Sequence, residues 1–273
     1  MNLQQALSLG ILQGLTEFLP ISSSGHLVLA QHLLGLHESQ LFFDVAVHVG
    51  TLMAVFLVFR TDLHEMLKDS LTFLKGIRPS STSDDTAALG NGAKMFLMIL
   101  VGSVPAVLIG LLFRDVVEWL FTSPLVVGLG LWTTGLILIW SRWSRERFKD
   151  LRTPKVSQAL LVGLAQGAAI SPGLSRSGMT ITTGLLLGLS PELAFRFSFL
   201  LSIPAILGAL ALEVHQGGTA HPGWQMLAAG FFSAFLVGWA ALRALQALVG
   251  RGKLFYFAPY CFLLGTFAFI IAF

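Results

Sequence analysis

Gln13 and Glu17 stand four residues apart, hence on one face of a helix, in a segment otherwise made largely of Leu, Ile, Phe and Gly. A carboxylate in apolar surroundings is costly, so its presence points to a site rather than to packing. Oxygen donors on one face suit a hard divalent cation such as Mg2+ or Ca2+. Shortly after come Ser22, Ser23, Ser24, Gly25 and His26, and far along the chain a second run reads Ser175, Arg176, Ser177, Gly178. Each run precedes an apolar helix, expected to begin near His26 and near Met179, and so offers free backbone N–H groups and hydroxyls to an anion. Arg176 adds a planar, permanently charged fork that matches phosphate oxygens. His26 lies three residues after Ser23, near enough for a base and a hydroxyl to converge on one phosphorus atom. Taken singly, Ser-Gly runs are mostly helix caps, and a His at a helix start is mostly a structural donor. Two such runs at breaks in apolar helices, one carrying an Arg, indicate phosphate chemistry. Asp44 and His48, one turn apart, face either a cavity or a neighbouring helix.

The elements that hold these residues belong to a membrane. The chain has 273 residues, 55% hydrophobic and 11% charged, against about 25% charged in soluble domains. Six stretches are long and apolar enough to cross a bilayer as helices: 41–60, 95–113, 120–140, 194–213, 225–247 and 254–273. Lys and Arg gather in 60–94, 141–156 and 243–253, which are therefore expected inside, whereas 36–40, 114–119 and 214–224 are poor in them and expected outside. Trp119, Trp140, Trp143 and Trp224 fall at span ends, where an indole prefers the headgroup level. The small basic excess serves orientation, so nucleic acid is not an expected partner. Cys261, the single cysteine, excludes an internal disulfide and a thiolate metal cluster. The segment Leu3 to Leu19 lacks a basic start and a small-residue cleavage site and is not read as a signal peptide. His32, Glu192 and Arg196 read as interfacial, and Pro105 and Pro204 as helix kinks.

Two further apolar segments, 3–35 and 157–188, are each broken at the centre by Pro, Gly and Ser. Each reads as helix, break, helix. At an offset of 153, Gln13-Gly14 falls on Gln166-Gly167, Ser22 on Ser175, Ser24 on Ser177 and Gly25 on Gly178. The expected fold is thus an all-α polytopic membrane protein of six transmembrane helices plus two re-entrant helical hairpins, in one membrane domain with repeats 1–140 and 157–273. Three crossings per repeat invert the second copy, placing the first hairpin's mouth and both termini outside. Inverted repeats with broken helices build midplane sites for small anions, and irregular backbone survives at that depth only inside protein or along a cavity.

Gln13-Gly-Leu-Thr-Glu17-Phe-Leu-Pro-Ile-Ser-Ser23-Ser-Gly-His26 resembles the (E/Q)xxxE and Pro-x-Ser-Ser-x-Gly-His motifs of the undecaprenyl-diphosphatase (bacitracin-resistance) family, and Pro172-Gly-Leu-Ser-Arg176-Ser-Gly-Met-Thr180 resembles its PGxSRSGxT signature. The resemblance covers essentially the whole chain. It implies hydrolysis of undecaprenyl diphosphate to the monophosphate and phosphate, recycling the lipid carrier of peptidoglycan synthesis and conferring bacitracin resistance. It further implies a divalent cation and a site in the bacterial cytoplasmic membrane opening outward. Carried over by position, Gln13 and Glu17 form the metal and diphosphate region, Ser23 and His26 the catalytic pair, and Arg176 the phosphate clamp. Ser22, Ser24, Gly25, Ser175, Ser177, Gly178 and Thr180 surround the substrate. Gln13 stands where the more acidic version of the pattern has Glu. Ser23 is favoured as nucleophile with His26 as base, although a His26 nucleophile and direct attack by water both remain open. The competing class is a secondary transporter or lipid flippase, which shares the architecture but needs no nucleophile. A homodimer is compatible with all of this.

Overall fold

Without water to satisfy it, a backbone in lipid must bond to itself, and apolar runs of this length do so as helices. The structure is a computed structural model. It describes all residues except 37–39, 76–89, 114–115, 117–119, 121–122, 145–150, 217–222 and 273, and the side chains of 41 and 213–216. Among the described residues the order is α1 Leu3–Phe18, α2 Ser23–Leu33, α3 Leu41–Val58, α4 Arg60–Leu74, α5 Asn91–Leu112, α6 Pro124–Trp140, α7 Val156–Ala168, α8 Arg176–Leu186, α9 Pro191–Gln216, α10 Trp224–Gly250 and α11 Ala258–Ala272. There is no β-strand among them.

Five helices are long and apolar enough to cross a membrane: α5, α6 with its 3-10 extension to Trp143, α9, α10, and α11 with the turn that leads into it. The expected first span falls on α3, which passes the same test only together with α4, and the two meet at a 73° bend. α4 itself was expected to be connection. It is amphipathic instead, with Arg60, Asp62, Glu65, Lys68 and Asp69 spaced among Leu63, Met66 and Leu67. It packs on α5, where the Gly92 N–H donates to Asp69 Oδ2 at 2.9 Å, and Asp62 pairs with Arg196 of α9. Trp140, Trp143 and Trp224 are exposed at helix ends as expected. Trp119, most of the expected outer loops, and Arg78, Arg145, Arg147 and Lys149 lie outside the described residues. Pro105 and Pro204 sit inside α5 and α9.

Both broken segments form as helix, break, helix. Their second helices begin at Ser23 and Arg176, three residues earlier than expected. The cause is the cap. Ser22 Oγ accepts the Gly25 N–H at 3.4 Å and Ser175 Oγ accepts the Gly178 N–H at 3.1 Å, so the first serine of each run, not the glycine, ends the irregular stretch. Leu19, restricted by the following Pro20, is extended and stops α1.

The first helices of the two broken segments are held alike. α1 packs along α10 and α7 along α5, each through glycines. A Cβ on Gly14 would come within 2.8 Å of the Ala234 carbonyl and of the Gly238 amide, and one on Gly163 would overlap the Gly102 carbonyl. Lipid tails are as apolar as leucine, so helices associate in a membrane by such close backbone approach rather than by burial from water. Below Glu17, Phe18 is fully buried and meets Phe199 edge-on at 5.6 Å, fixing α1 against α9.

Candidate active site

The site forms where the two breaks meet. Glu17, on the last turn of α1, is 9% exposed and accepts from three side chains. Its Oε2 receives Gln13 Nε2 at 3.0 Å and Ser23 Oγ at 2.5 Å, and its Oε1 receives Arg176 Nη2 at 2.6 Å. One carboxylate therefore ties the first break to the second. An ion pair this deeply placed repays its desolvation only with extra hydrogen bonds, and these are present. The other Arg176 nitrogen, Nη1, is buried and has no hydrogen-bond partner.

A cavity of ≈ 250 Å³ opens over this network. Its polar wall is Glu17, Ser22, Ser23, Ser24, His48, Gln166, Ser175 and Arg176; Ala169, Ile170, Leu174, Ala205, Ile206, Ala209 and Leu210 form an apolar one. In both capped helices the first amides lack an intrahelical acceptor, as in every helix, so their N–H groups are available to an anion.

Each break is braced by a helix from far along the chain. Thr134 of α6 donates to the Gly173 carbonyl at 3.1 Å and accepts the Ser175 N–H at 2.9 Å. Gly173 takes φ +84°, and Gly130 lies so close to Pro172 that no side chain fits between them. At the first break, Cys261 of α11 is buried and lies 3.6 Å from the Pro20 carbonyl. Ser22 adopts φ +67°, a conformation rare for a side chain larger than hydrogen and kept where surroundings impose it.

The expected pairing of Ser23 with His26 is not formed. Ser23 Oγ donates its hydrogen bond to Glu17 instead. His26 does not line the cavity: its Nδ1 donates to the Ser22 carbonyl at 2.7 Å, leaving Nε2 to accept from Tyr260 Oη at 2.7 Å. The ring thus clamps the strained Ser22 to α11. Gln13, Gly25, Ser177, Gly178 and Thr180 also stand behind the cavity wall rather than on it. Thr180 bonds to the Arg176 carbonyl at 2.8 Å and to Ser198 Oγ at 2.5 Å, and Ser177 Oγ lies 3.2 Å from Ser175 Oγ. Gly25 and Gly178 serve the caps. Two cavity residues weighed less heavily in the sequence are His48 and Gln166. The Gln166 amide oxygen, like that of Gln13, is buried without a partner. The offset that aligns the two glutamines was the available signal; for Thr134 and Tyr260 there was none.

No three His, Cys, Asp or Glu side chains gather among the described residues. The oxygen donors that could hold a cation are the Glu17 carboxylate and the orphaned Gln13 oxygen. Such a set fits an ion whose remaining ligands are phosphate oxygens and water, which is how Mg2+ is commonly held. It does not fit an all-protein cage.

The profile of the family described as bacitracin resistance protein BacA matches residues 6–267. An undecaprenyl-diphosphatase of Desulfosudis oleivorans is 45% identical over 266 residues, covering 96% of this chain and 95% of the relative. One of Korarchaeum cryptofilum is 45% identical over 270 residues, covering 97% of each, and one of Methanosphaera stadtmanae 37% over 273 residues, covering 100% and 99%. The chain belongs to the bacitracin resistance protein BacA family.

Proposed function

We propose that this member of the bacitracin resistance family is a membrane hydrolase that removes the terminal phosphate of undecaprenyl diphosphate. The observation that carries the reading is the chain Ser23, Glu17, Arg176. A hydroxyl donates to a carboxylate that is itself held by a guanidinium with a spare donor, inside a cavity with two helix N-termini and an apolar wall. A transporter has no use for a hydroxyl seated on a base.

Ser23 Oγ attacks the terminal phosphorus while Glu17 takes its proton, the oxygen–phosphorus bond forms, and the bond to the bridging oxygen breaks, releasing the lipid monophosphate. Glu17 passes that proton to the departing lipid monophosphate and is a base again; it then takes a proton from water, which attacks the phosphoserine, and returns that proton to Ser23 Oγ as the serine–phosphorus bond breaks and phosphate is freed. Arg176 Nη1 and the first amides of α2 and α8 hold the phosphoryl oxygens as charge shifts among them. Glu17 and Gln13 would hold a divalent cation together with the diphosphate, and the ion supplies positive charge to its oxygens. The tail is far too long for ≈ 250 Å³. It leaves past Ala205 and Ala209 of α9, where small side chains thin the wall, and stays in lipid.

The same reading makes the two broken segments re-entrant hairpins of inverted repeats, giving six crossings with α3 counted, in a cytoplasmic membrane with the cavity open outward. Three matched contacts support it. α1 lies on α10 as α7 lies on α5, the first break rests on α11 as the second rests on α6, and in both caps a serine Oγ accepts the N–H of the glycine three residues on.

The deciding assay is phosphate release from undecaprenyl diphosphate by the purified protein. Turnover is expected, with Ser23→Ala at background. No release by the native protein, or equal release by Ser23→Ala, overturns the assignment.

A further inference from the structure

His48 lines the catalytic cavity from α3 without a role in the chemistry above. Its Nδ1 lies 2.7 Å from the Asp44 carbonyl. A carbonyl only accepts, so Nδ1 carries the proton and the lone pair of the neutral ring is on Nε2. That lone pair makes no hydrogen bond among the described residues and faces Glu17 Oε2 at 3.9 Å. Two electron-rich atoms set facing each other at a cavity wall, Glu17 buried and His48 partly so, repel unless something positive lies between them. The separation is too long for a direct hydrogen bond. One ion with bonds of about 2.1 Å to a nitrogen and an oxygen would span it.

We propose that His48 Nε2 is a ligand of the site's divalent cation, which makes the site a mixed nitrogen and oxygen centre suited to a first-row ion rather than to Ca2+. A backbone carbonyl that fixes the tautomer is the usual support of a metal-binding histidine. Gln13 completes the arrangement. In the structure its Nε2 occupies a lone pair of Glu17 Oε2 while its own Oε1 is buried and unpartnered. Turning the amide over vacates that lone pair and presents Oε1 beside it, so Glu17, Gln13 and His48 supply three ligands and the diphosphate and water the rest. Imidazole raises affinity for later first-row ions and contributes little to Ca2+, which takes oxygen. The proposal rests on Glu17 as the cation's carboxylate ligand, and its test reads the metal rather than turnover.

The experiment uses the full chain in detergent with Mn2+ as probe. Titration followed by the electron paramagnetic resonance of free Mn2+ gives affinity, Ca2+ competition gives preference, and electron spin echo modulation reports any directly bonded nitrogen. Native protein is expected to show nitrogen modulation and to bind Mn2+ at least ~10-fold more tightly than Ca2+. His48→Ala should lose the modulation and at least ~10-fold in Mn2+ affinity. If alanine does not fold, His48→Gln, close in size, decides by the same loss of modulation, while His26→Gln should retain it. Absence of modulation or of Mn2+ binding in the native protein overturns the proposal, as does its persistence in the His48 variants. Phosphate release by the native protein is scored separately, so a failed metal assignment is not mistaken for a failed hydrolase.

Discussion

Glu17 accepts from Ser23, Gln13 and Arg176 at once, so substitutions around it separate base, nucleophile and clamp. Glu17→Gln keeps the shape but removes the charge proposed to take the Ser23 proton, and turnover should fall about 10²–10⁴-fold. Arg176→Lys keeps a charge but cannot both hold Glu17 and present a second donor. It should lose about 10²–10³-fold in kcat, the usual cost of one oxyanion donor. His26→Gln separates this site from the one its sequence suggests. With the ring bonded to Ser22 and Tyr260, the variant should lower stability by about 1–3 kcal/mol, as a broken buried hydrogen bond does, yet keep a labelled intermediate on Ser23. An acid-labile, base-stable phosphate on His26 would show that the ring turns into the cavity during turnover.

At the scale of elements, the two breaks and the helix arms around them are legible in the sequence, because Pro20, Gly173 and the serine runs interrupt otherwise uniform apolar stretches. Of the residues near in sequence, Gln13 and Glu17 meet, whereas the expected pair of Ser23 and His26 does not form. Glu17 and Ser23 are six positions apart and do meet. The braces were illegible: Tyr260 reaches His26 across 234 positions and Thr134 reaches Ser175 across 41, and no periodicity in either segment marks the partner. Likewise α4 was missed because a search for apolar spans passes over an amphipathic helix. The glycine contacts give a test at this scale. Gly163→Ala puts a methyl group into the Gly102 carbonyl, so α5 and α7 must separate; a loss of about 1–3 kcal/mol is expected for such overpacking. Gly208→Ala, inside α9 with nothing within 4 Å of the new methyl, should be neutral or gain up to about 1 kcal/mol from helix propensity. Thermal unfolding in detergent compares the two, and equal behaviour would mean that the α5–α7 contact does not limit stability.

At the scale of the whole molecule, the two halves do not fold beside one another. α1 is sheathed by α10 and α7 by α5, and each break rests on a helix of the other half. An interleaved arrangement of this kind leaves a single orientation to be fixed, because neither half can turn over alone. Charge fixes it. Arg60, Lys75, Arg142, Arg251 and Lys253 lie at the ends of α3, α4, α6 and α10, with Lys68 within α4, and retention of Lys and Arg on the cytoplasmic side should set the whole bundle. On the proposed topology the far ends of α1 and α10 are expected to face outward, together with the cavity between the breaks. Single cysteines in a Cys261→Ala background test this, and the background is quiet because Cys261 is fully buried. Gln4→Cys and Gly223→Cys should react in intact cells with a thiol reagent that cannot cross the membrane, whereas Lys75→Cys and Arg251→Cys should react only after lysis; all four positions are exposed in the structure. Labelling of Gln4→Cys without Gly223→Cys would place the starts of α1 and α10 on opposite faces and so contradict the inverted repeat, while the reverse of the whole pattern would keep the repeat and turn the catalytic cavity toward the cytoplasm.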